Sequence, residues 1–290
     1  MKLGIDGDPP ALAAAKYHYF SNSIGGLNMQ IVAETDRKVW IRYLSPWGSY
    51  PGIAALAVPP SVRRTILSTW HPRNGELLGC PRLGWVATKF VSEGHPYDEG
   101  YFIEHERDLS PEERFRVEHV ERSPEFIPEH APRLDPAVWP EIRILKGGYN
   151  YGVDYVRHTV QIIESLSGVT KASHIVESAM KLLAVQYAAD LAATLGRSGT
   201  DPLTLAETFA AIFASYRNPC RVRSEGDRVA VLEFENWAPF DTVENEQMLK
   251  SLFAFFDMMV RVRNGHLSVA WERHENGRVL RIADEGKWIW

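Results

Sequence analysis

The sequence predicts an α+β protein made of two related β-β-α-β-β units joined by a helical pair. Three observations carry this. The run Pro219–Asp284 reads strand, strand, helix, strand, strand. An altered copy of that order lies near the N-terminus, with Asp36-Arg37 matching Asp227-Arg228, Trp47 matching Trp237, and Arg73-Asn74-Gly75 matching Arg263-Asn264-Gly265, all at an offset of about 190 residues. Between the copies stand two long runs of helical spacing. The implied divisions are 1–107 for the first unit, 108–148 for a Pro-rich crossing segment, 149–200 for the helical pair and 201–290 for the second unit.

In chain order, Pro9–Asn22 is a helix opened by Asp8-Pro9, the pattern repeated at Asp201-Pro202, where an Asp can cap and Pro can occupy the first turn. Met29–Glu34 and Val39–Leu44 alternate around Thr35-Asp36-Arg37-Lys38 and predict a hairpin. A Trp-containing loop (45–48) and a Gly/Ala/Pro loop (51–60) lead to a helix at Ser61–Trp70. Leu83–Val91 and Gly100–Glu106 are the next strands, separated by a loop over Ser92–Gly100. Ser110-Pro111-Glu112-Glu113 has the form of a capped start to a short polar helix ending near Arg122. Five prolines over Ser123–Pro140 leave that segment without periodicity. Gly147-Gly148 breaks before the helix Tyr149–Leu166, Gly168 ends it, and the Ala-rich helix Ser173–Leu195 follows. In the second copy, Arg221–Arg223 and Val229–Phe234 form a hairpin. Glu244–Arg261 is a helix with a broad apolar face, and His266–His274 and Arg278–Ala283 pair around Glu275-Asn276-Gly277.

Composition narrows the function. A net charge of −5 gives no basic footprint for nucleic acid, and two cysteines cannot build a disulfide framework or a metal cluster. No signal peptide and no apolar run of membrane-spanning length is read, so the expectation is a soluble cytoplasmic protein without a membrane partner.

The departures of the first copy from the second mark where chemistry is expected. They are the insertion Glu76–Arg82 and the Ser92–Gly100 loop, which carries Glu93, His95, Tyr97, Asp98 and Glu99. Histidine titrates near neutral pH, so His71 and His95 are read as catalytic proton carriers oriented by Asp98 or Glu104. Arg42 would hold an anionic group, with Trp47, Trp70 and Tyr97 lining the pocket. Beside this stands the plain reading of a polar hairpin loop and a histidine at a helix C-terminus. Glu104 and Glu106 are expected on one face of a strand, with His105 on the other. A second constellation is helical. Tyr151 and Tyr155 form a ligand-facing patch, and His158 with His174 and Glu177 gives an alternative metal site between two helices. No cofactor is predicted, and a divalent metal stays open. Cys80, in the insertion near His71, and Cys220 are nucleophile candidates against a background of buried filler.

The residues Arg221-Val222, Asp227-Arg228-Val229-Ala230-Val231 and Arg263-Asn264-Gly265-His266-Leu267 give Tyr216–Asp284 a pattern that resembles the group containing the 4-vinyl reductase domains and the 2-amino-thiazoline-4-carboxylic acid hydrolases. The resemblance covers under a third of the chain and implies a fold that binds small organic molecules, as an enzyme or as a sensor. Many members carry late cysteines associated with metal; this copy has none there, so no zinc or catalytic residue is transferred.

The expected function is thus a small-molecule enzyme of hydrolase or lyase type, using acid/base chemistry on an aromatic or carboxylated metabolite. The alternative is a non-catalytic binding or sensing protein. A third reading is an oligomeric scaffold, such as a homodimer, built on the Ala-rich helix, whose small residues permit close packing.

Overall fold

The computed structural model describes residues 3–44, 60–274 and 277–289. The loop containing Trp47, the Pro51–Pro60 loop up to residue 59, and the Glu275-Asn276 turn therefore lie outside the described residues. The chain is α+β and divides into two compact units, 1–149 and 150–290. The Pro-rich crossing segment belongs to the first unit, and all but the first residue of the expected helical pair belongs to the second.

The first unit runs α1 (Pro10–Ile24), β1 (Met29–Thr35), β2 (Lys38–Leu44), α2 (Pro60–Trp70), the short α3 (Asn74–Leu77), β3 (Leu83–Lys89), β4 (Tyr97–Glu104) and β5 (Phe115–Val117). Its sheet has the order β1-β2-β4-β3-β5, antiparallel except for the parallel β3–β5 pair. Strand alternation sends Ile31, Val39, Ile41, Tyr43, Trp85 and Phe102 into a core with Ala11, Ala14 and Ala15 of α1 and Leu67 of α2. The opposite face presents Trp40, Val86 and Tyr101, packed with Val120 from the segment that follows β5.

Three expectations for the segments before α4 differ from what folds. The last strand begins at Tyr97, so Tyr97, Asp98 and Glu99 are strand residues with fixed faces, and only 92–96 turns. The polar helix expected after Ser110 is a single 3-10 turn, Pro111–Arg114, closed by the Ser110/Glu113 capping box. The alternating Phe115-Arg116-Val117 then pairs with β3, because an open strand edge offers backbone partners that a charged helix lacks. At the N-terminus, Asp8 does not cap α1: its carboxylate pairs with Lys16 at 2.8 Å, and Pro9 takes the cap position.

The second unit contains the end of α4 (Glu141–Thr194), then α5 (Pro202–Ser215), β6 (Cys220–Ser224), β7 (Val229–Phe234), α6 (Glu246–Arg263), β8 (Leu267–His274) and β9 (Gly277–Asp284). Its sheet order β6-β7-β9-β8 repeats the order of the first four strands of the other unit. Phe209, Phe213, Leu232, Phe234, Leu249, Phe253, Phe256, Leu280 and Ile282 make its core, with Ala184 and Ala188 of α4 against it. Asp201 caps α5 by accepting from Thr204 N at 2.9 Å, and Asn245 caps α6.

The Gly147-Gly148 break expected before the first long helix does not occur; α4 runs through it. The break lies at Gly168, where φ 72° and ψ 159° leave the helical region. A straight helix would hold Val160 and Val176 about 24 Å apart. Instead both join one cluster with Met248 and Leu252 of α6, so the chain reverses at Gly168 and the arms 150–167 and 169–194 form a hairpin.

The Arg-Asn-Gly repeats occupy matching places. Asn264 donates to Thr200 O ahead of α5 at 3.0 Å, and Arg263 donates to Ser198 O at 2.6 Å. Asn74 reaches α1 in the same way, with Nδ2 2.9 Å from His18 Nε2. In the second unit this asparagine ties the end of α6 to the turn before α5, and in the first it ties the start of α3 to α1.

Candidate functional site

His71 ends α2 with its side chain under the sheet, 2% exposed. It stacks on His18 of α1 at 4.4 Å between ring centroids and 9° between planes, and on Trp85 at 4.3 Å. Tyr43 Oη lies 2.7 Å from His71 Nε2 and 3.3 Å from His18 Nδ1. Because the Asn74 amide can only donate to His18 Nε2, the His18 proton sits on Nδ1, and the Tyr43 hydroxyl is free to donate to His71. Both rings are then neutral. Burial holds His18 down to about 3, and burial with the neighbouring His18 holds His71 well below its ordinary value, opposed by the Leu67 backbone. A histidine sealed this way is a core hydrogen-bonding group at neutral pH, not a proton shuttle.

Among the described contacts none joins His71 directly to the other expected catalytic residues. His95 is half-buried in the 92–96 turn, and among the described contacts none joins it to His71. Asp98 faces the helices, fully buried, and accepts from Val91 N at 2.7 Å, fixing the turn. Glu104 pairs with Arg82 at 2.6 Å, and Glu106 lies beyond β4 on Arg37, so the paired-carboxylate face does not form. Trp70 is 53% exposed and touches only the edge of the His18 ring, at 6.4 Å. Trp47 lies outside the described residues.

Arg42 and Tyr97 do meet, on the other face of the sheet. Arg42 Nε donates to Glu99 Oε2 at 2.6 Å, and Lys89 lies 3.0 Å from Glu99 Oε1. Thr88 and Ser123 donate to the same oxygen at 2.9 and 2.5 Å, and Arg42 also donates to Gln30 at 3.1 Å and to the Pro124 carbonyl. The Tyr97 ring lies 5.2 Å from both the Arg42 and the Lys89 cation. Burial pushes the Glu99 carboxyl up, but Ser123, Arg42, Lys89 and Thr88 outweigh it and hold the group ionised. The network uses Arg42 internally instead of presenting it to a ligand. A shallow cavity of about 510 Å³ beside it is lined by Lys38, Trp40, Tyr101, Glu118 and Arg122.

The second unit offers a more enclosed polar site. A groove of about 540 Å³ runs between the second arm of α4 and α6. His174, Glu177 and Lys181 recur at helical spacing on one wall, and Lys250, Asp257 and Arg261 do so on the other. Thr170, Gln247 and Ser251 add polar groups. Glu177 is engaged by Lys181, which with His174 holds its carboxyl below the usual range. Asp257 behaves in the opposite way. Burial raises its pKa although Trp271 Nε1 donates to it at 2.7 Å and cations lie around it. Lys250 is left without an ion pair among the described residues, although its charge acts on both Glu177 and Asp257.

Of the helical constellation, His174 and Glu177 reach this groove, and His158 does not line it. Among the described residues no group of three His, Cys, Asp or Glu side chains is placed to hold a metal ion, which removes the His158/His174/Glu177 arrangement. Tyr151 and Tyr155 stack on each other at 6.3 Å on the exposed side of α4, away from the groove lining. Cys80 is buried filler in the first core. Cys220, half-buried, lines a wide open groove of about 990 Å³ near Arg221 and Arg278, but burial pushes its thiol up to about 11. A raised pKa leaves the Cys220 thiol poorly suited to act as a nucleophile.

Sequence reasoning missed Asp257 and Lys250. The signal was present: Asp257 is the one acid within the apolar stretch Leu252–Val260. It also missed His18, Lys89 and Ser123, which gain meaning only through contacts across elements.

No protein-family model matches the chain, and no curated protein matches it. Among solved structures, one similar chain is a trafficking protein particle complex subunit 3 from Naegleria fowleri, covalently bound to palmitic acid. It is 13% identical, covers 46% of this chain and 95% of its own, and has a TM-score of 0.35. A likeness at that level carries no argument. Among the described residues no helix is long and apolar enough to cross a membrane.

Proposed function

We propose that the protein binds a small organic anion, an aromatic or aliphatic carboxylate, in the groove between α4 and α6, and that binding or sensing is its role. The observation that carries this is the charge arrangement of the groove. Lys250 has no ion-pair partner among the described residues, Lys181 and His174 face it from the opposite wall, and burial biases the facing Asp257 toward its neutral form. A carboxylate entering there meets the Lys250 ammonium and the polar side chains of Thr170, Gln247 and Ser251. The resemblance of Tyr216–Asp284 to the 4-vinyl reductase-like group, whose members bind small organic molecules, supports the same reading. Two free cysteines support a reducing, cytoplasmic setting. Calorimetric titration with a panel of benzoates and short-chain carboxylates tests it. At least one should bind, and Lys250→Glu should abolish that binding. Failure of every carboxylate to bind, or binding untouched by Lys250→Glu, overturns the assignment.

A second reading rests on Asp257. A carboxyl with raised pKa in a cavity that also holds His174 is suited to general acid catalysis of hydrolase or lyase type. The two readings separate on Asp257→Asn. A binding protein keeps or gains affinity for the anion, whereas an enzyme loses turnover of any substrate it converts.

A further inference from the structure

The helical hairpin of the second unit buries one side and leaves the opposite side apolar and uncovered. On the first arm, Val160 packs with Met248 and Leu252 of α6, and Val153 is buried. Tyr151, Tyr155, Ile162 and Leu166 are 37%, 66%, 55% and 82% exposed. At 3.6 residues per turn, Ile162 points about 160° away from Val160, and Tyr155 about the same angle away from Val153. On the second arm, Ser173 Oγ donates to Met248 Sδ of α6 at 3.1 Å. Leu182, nine residues on and 70% exposed, points about half a turn away from Ser173. Ile175 lies on the same stripe, with Val185 beside it. The apolar stripes of both arms therefore face away from α6 on one side of the hairpin. Tyr155, Ile162, Leu166, Leu182 and Val185 each remain more than half exposed in this layer.

We infer that this layer is the interface between two copies of the chain, hairpin against hairpin, in a four-helix arrangement. Three observations favour a second copy. The exposed apolar surface of the two stripes is on the order of the roughly 800 Å² per partner that a stable interface buries, and beyond what a soluble monomer leaves open. The first stripe is also self-complementary when run antiparallel. About a midpoint between His158 and Thr159, Tyr151 falls opposite Leu166 of the second copy and Tyr155 opposite Ile162, so each aromatic meets an aliphatic. Finally, the charges beside the layer do not suit an anionic lipid surface. Asp154 and Asp190 are exposed acids, and the nearby Arg157 is held by Asp241 at 2.6 Å.

Sedimentation velocity of the full chain tests the inference. Wild type should run at twice 32.9 kDa. Ile162→Glu and Leu182→Glu, both at exposed positions, should each weaken self-association at least about tenfold and keep the wild-type circular dichroism. In a Cys220→Ser background, Thr159→Cys should crosslink to itself on oxidation. Tyr151→Cys mixed with Leu166→Cys should crosslink where each alone does not. A monomeric wild type, or a dimer unaffected by both Glu variants, overturns the inference. So does a monomer that sediments with phosphatidylcholine–phosphatidylglycerol vesicles and loses them on Ile162→Glu, because the layer would then be a membrane face.

Discussion

The stacked pair His18 and His71 makes the first unit acid-labile, by an amount that follows from its burial. An unfolded histidine titrates at 6.5, whereas His18 in the folded protein is held at about 3 by desolvation. The folded pKa is the lower one, so the contribution to stability is complete above pH 6.5. It is lost as pH falls, because the unfolded chain takes up a proton that the folded chain refuses. The loss is about 1.4 kcal/mol per pH unit per histidine. Between pH 6.5 and 4.5 His18 alone should account for about 2 kcal/mol. His71, depressed in the same direction, adds to this until pH reaches its own folded value. Carboxylates titrate over part of this range, so the useful quantity is the stability difference between wild type and His18→Phe, measured by urea denaturation at both pH values. Near pH 7 the variant should be the less stable, by about 1–3 kcal/mol, because Tyr43 Oη and Asn74 Nδ2 lose a partner. At pH 4.5 the difference should shrink by about 2–3 kcal/mol and can change sign. Fluorescence of Trp85, stacked on His71, helps follow this unit. A difference constant across the range, or a His18 ring titrating near pH 6.5 by NMR, would refute the reasoning.

Further expectations rest on single contacts. Gly168→Ala places a side chain at φ 72°, ψ 159°, a region open essentially to glycine, and should lower stability by about 1–3 kcal/mol in thermal melts. Gly100→Ala would put a Cβ 2.4 Å from Trp85 Cζ2 and from the Val86 carbonyl. It should cost about 1–3 kcal/mol by overpacking, and a neutral result would mean that the β3–β4 pairing is looser than described. Arg42→Met leaves Glu99 buried with a weaker set of partners and should cost about 3–5 kcal/mol, whereas adding Glu99→Leu should recover much of the loss. Equal destabilisation of the single and double variants in urea would show that the pair is not coupled.

Much of the fold is legible along the chain because its signals are local. The alternation of Met29–Leu44 and Val229–Phe234, the apolar face of α6, and the glycines that stop helices are read within one element. The repeat of Asp-Arg, Trp and Arg-Asn-Gly anticipates two sheets of the same strand order without any knowledge of contacts. Elements fail to be legible where a partner distant in sequence decides them. Phe115-Arg116-Val117 becomes a strand because β3 offers an open edge, and Gly147-Gly148 lies within α4 where the end of α1, at Ile24, comes too close for a side chain.

The candidate site divides in the same way. Residue type alone marked His71, Arg42, Tyr97, His174 and Glu177 as able to do chemistry, and no more than that. Strand parity then separated Asp98 from Tyr97, and burial turned His71 into a core hydrogen-bonding group. Packing two helices side by side brought Lys250 and Asp257 opposite His174 and Lys181. Sequence by itself determined the elements, their duplication and the stock of reactive groups, since backbone preference and hydrophobic period act over a few residues. Only the tertiary structure decided which of those groups keep their charge and face solvent, because desolvation and ion pairing depend on neighbours that chain order does not supply.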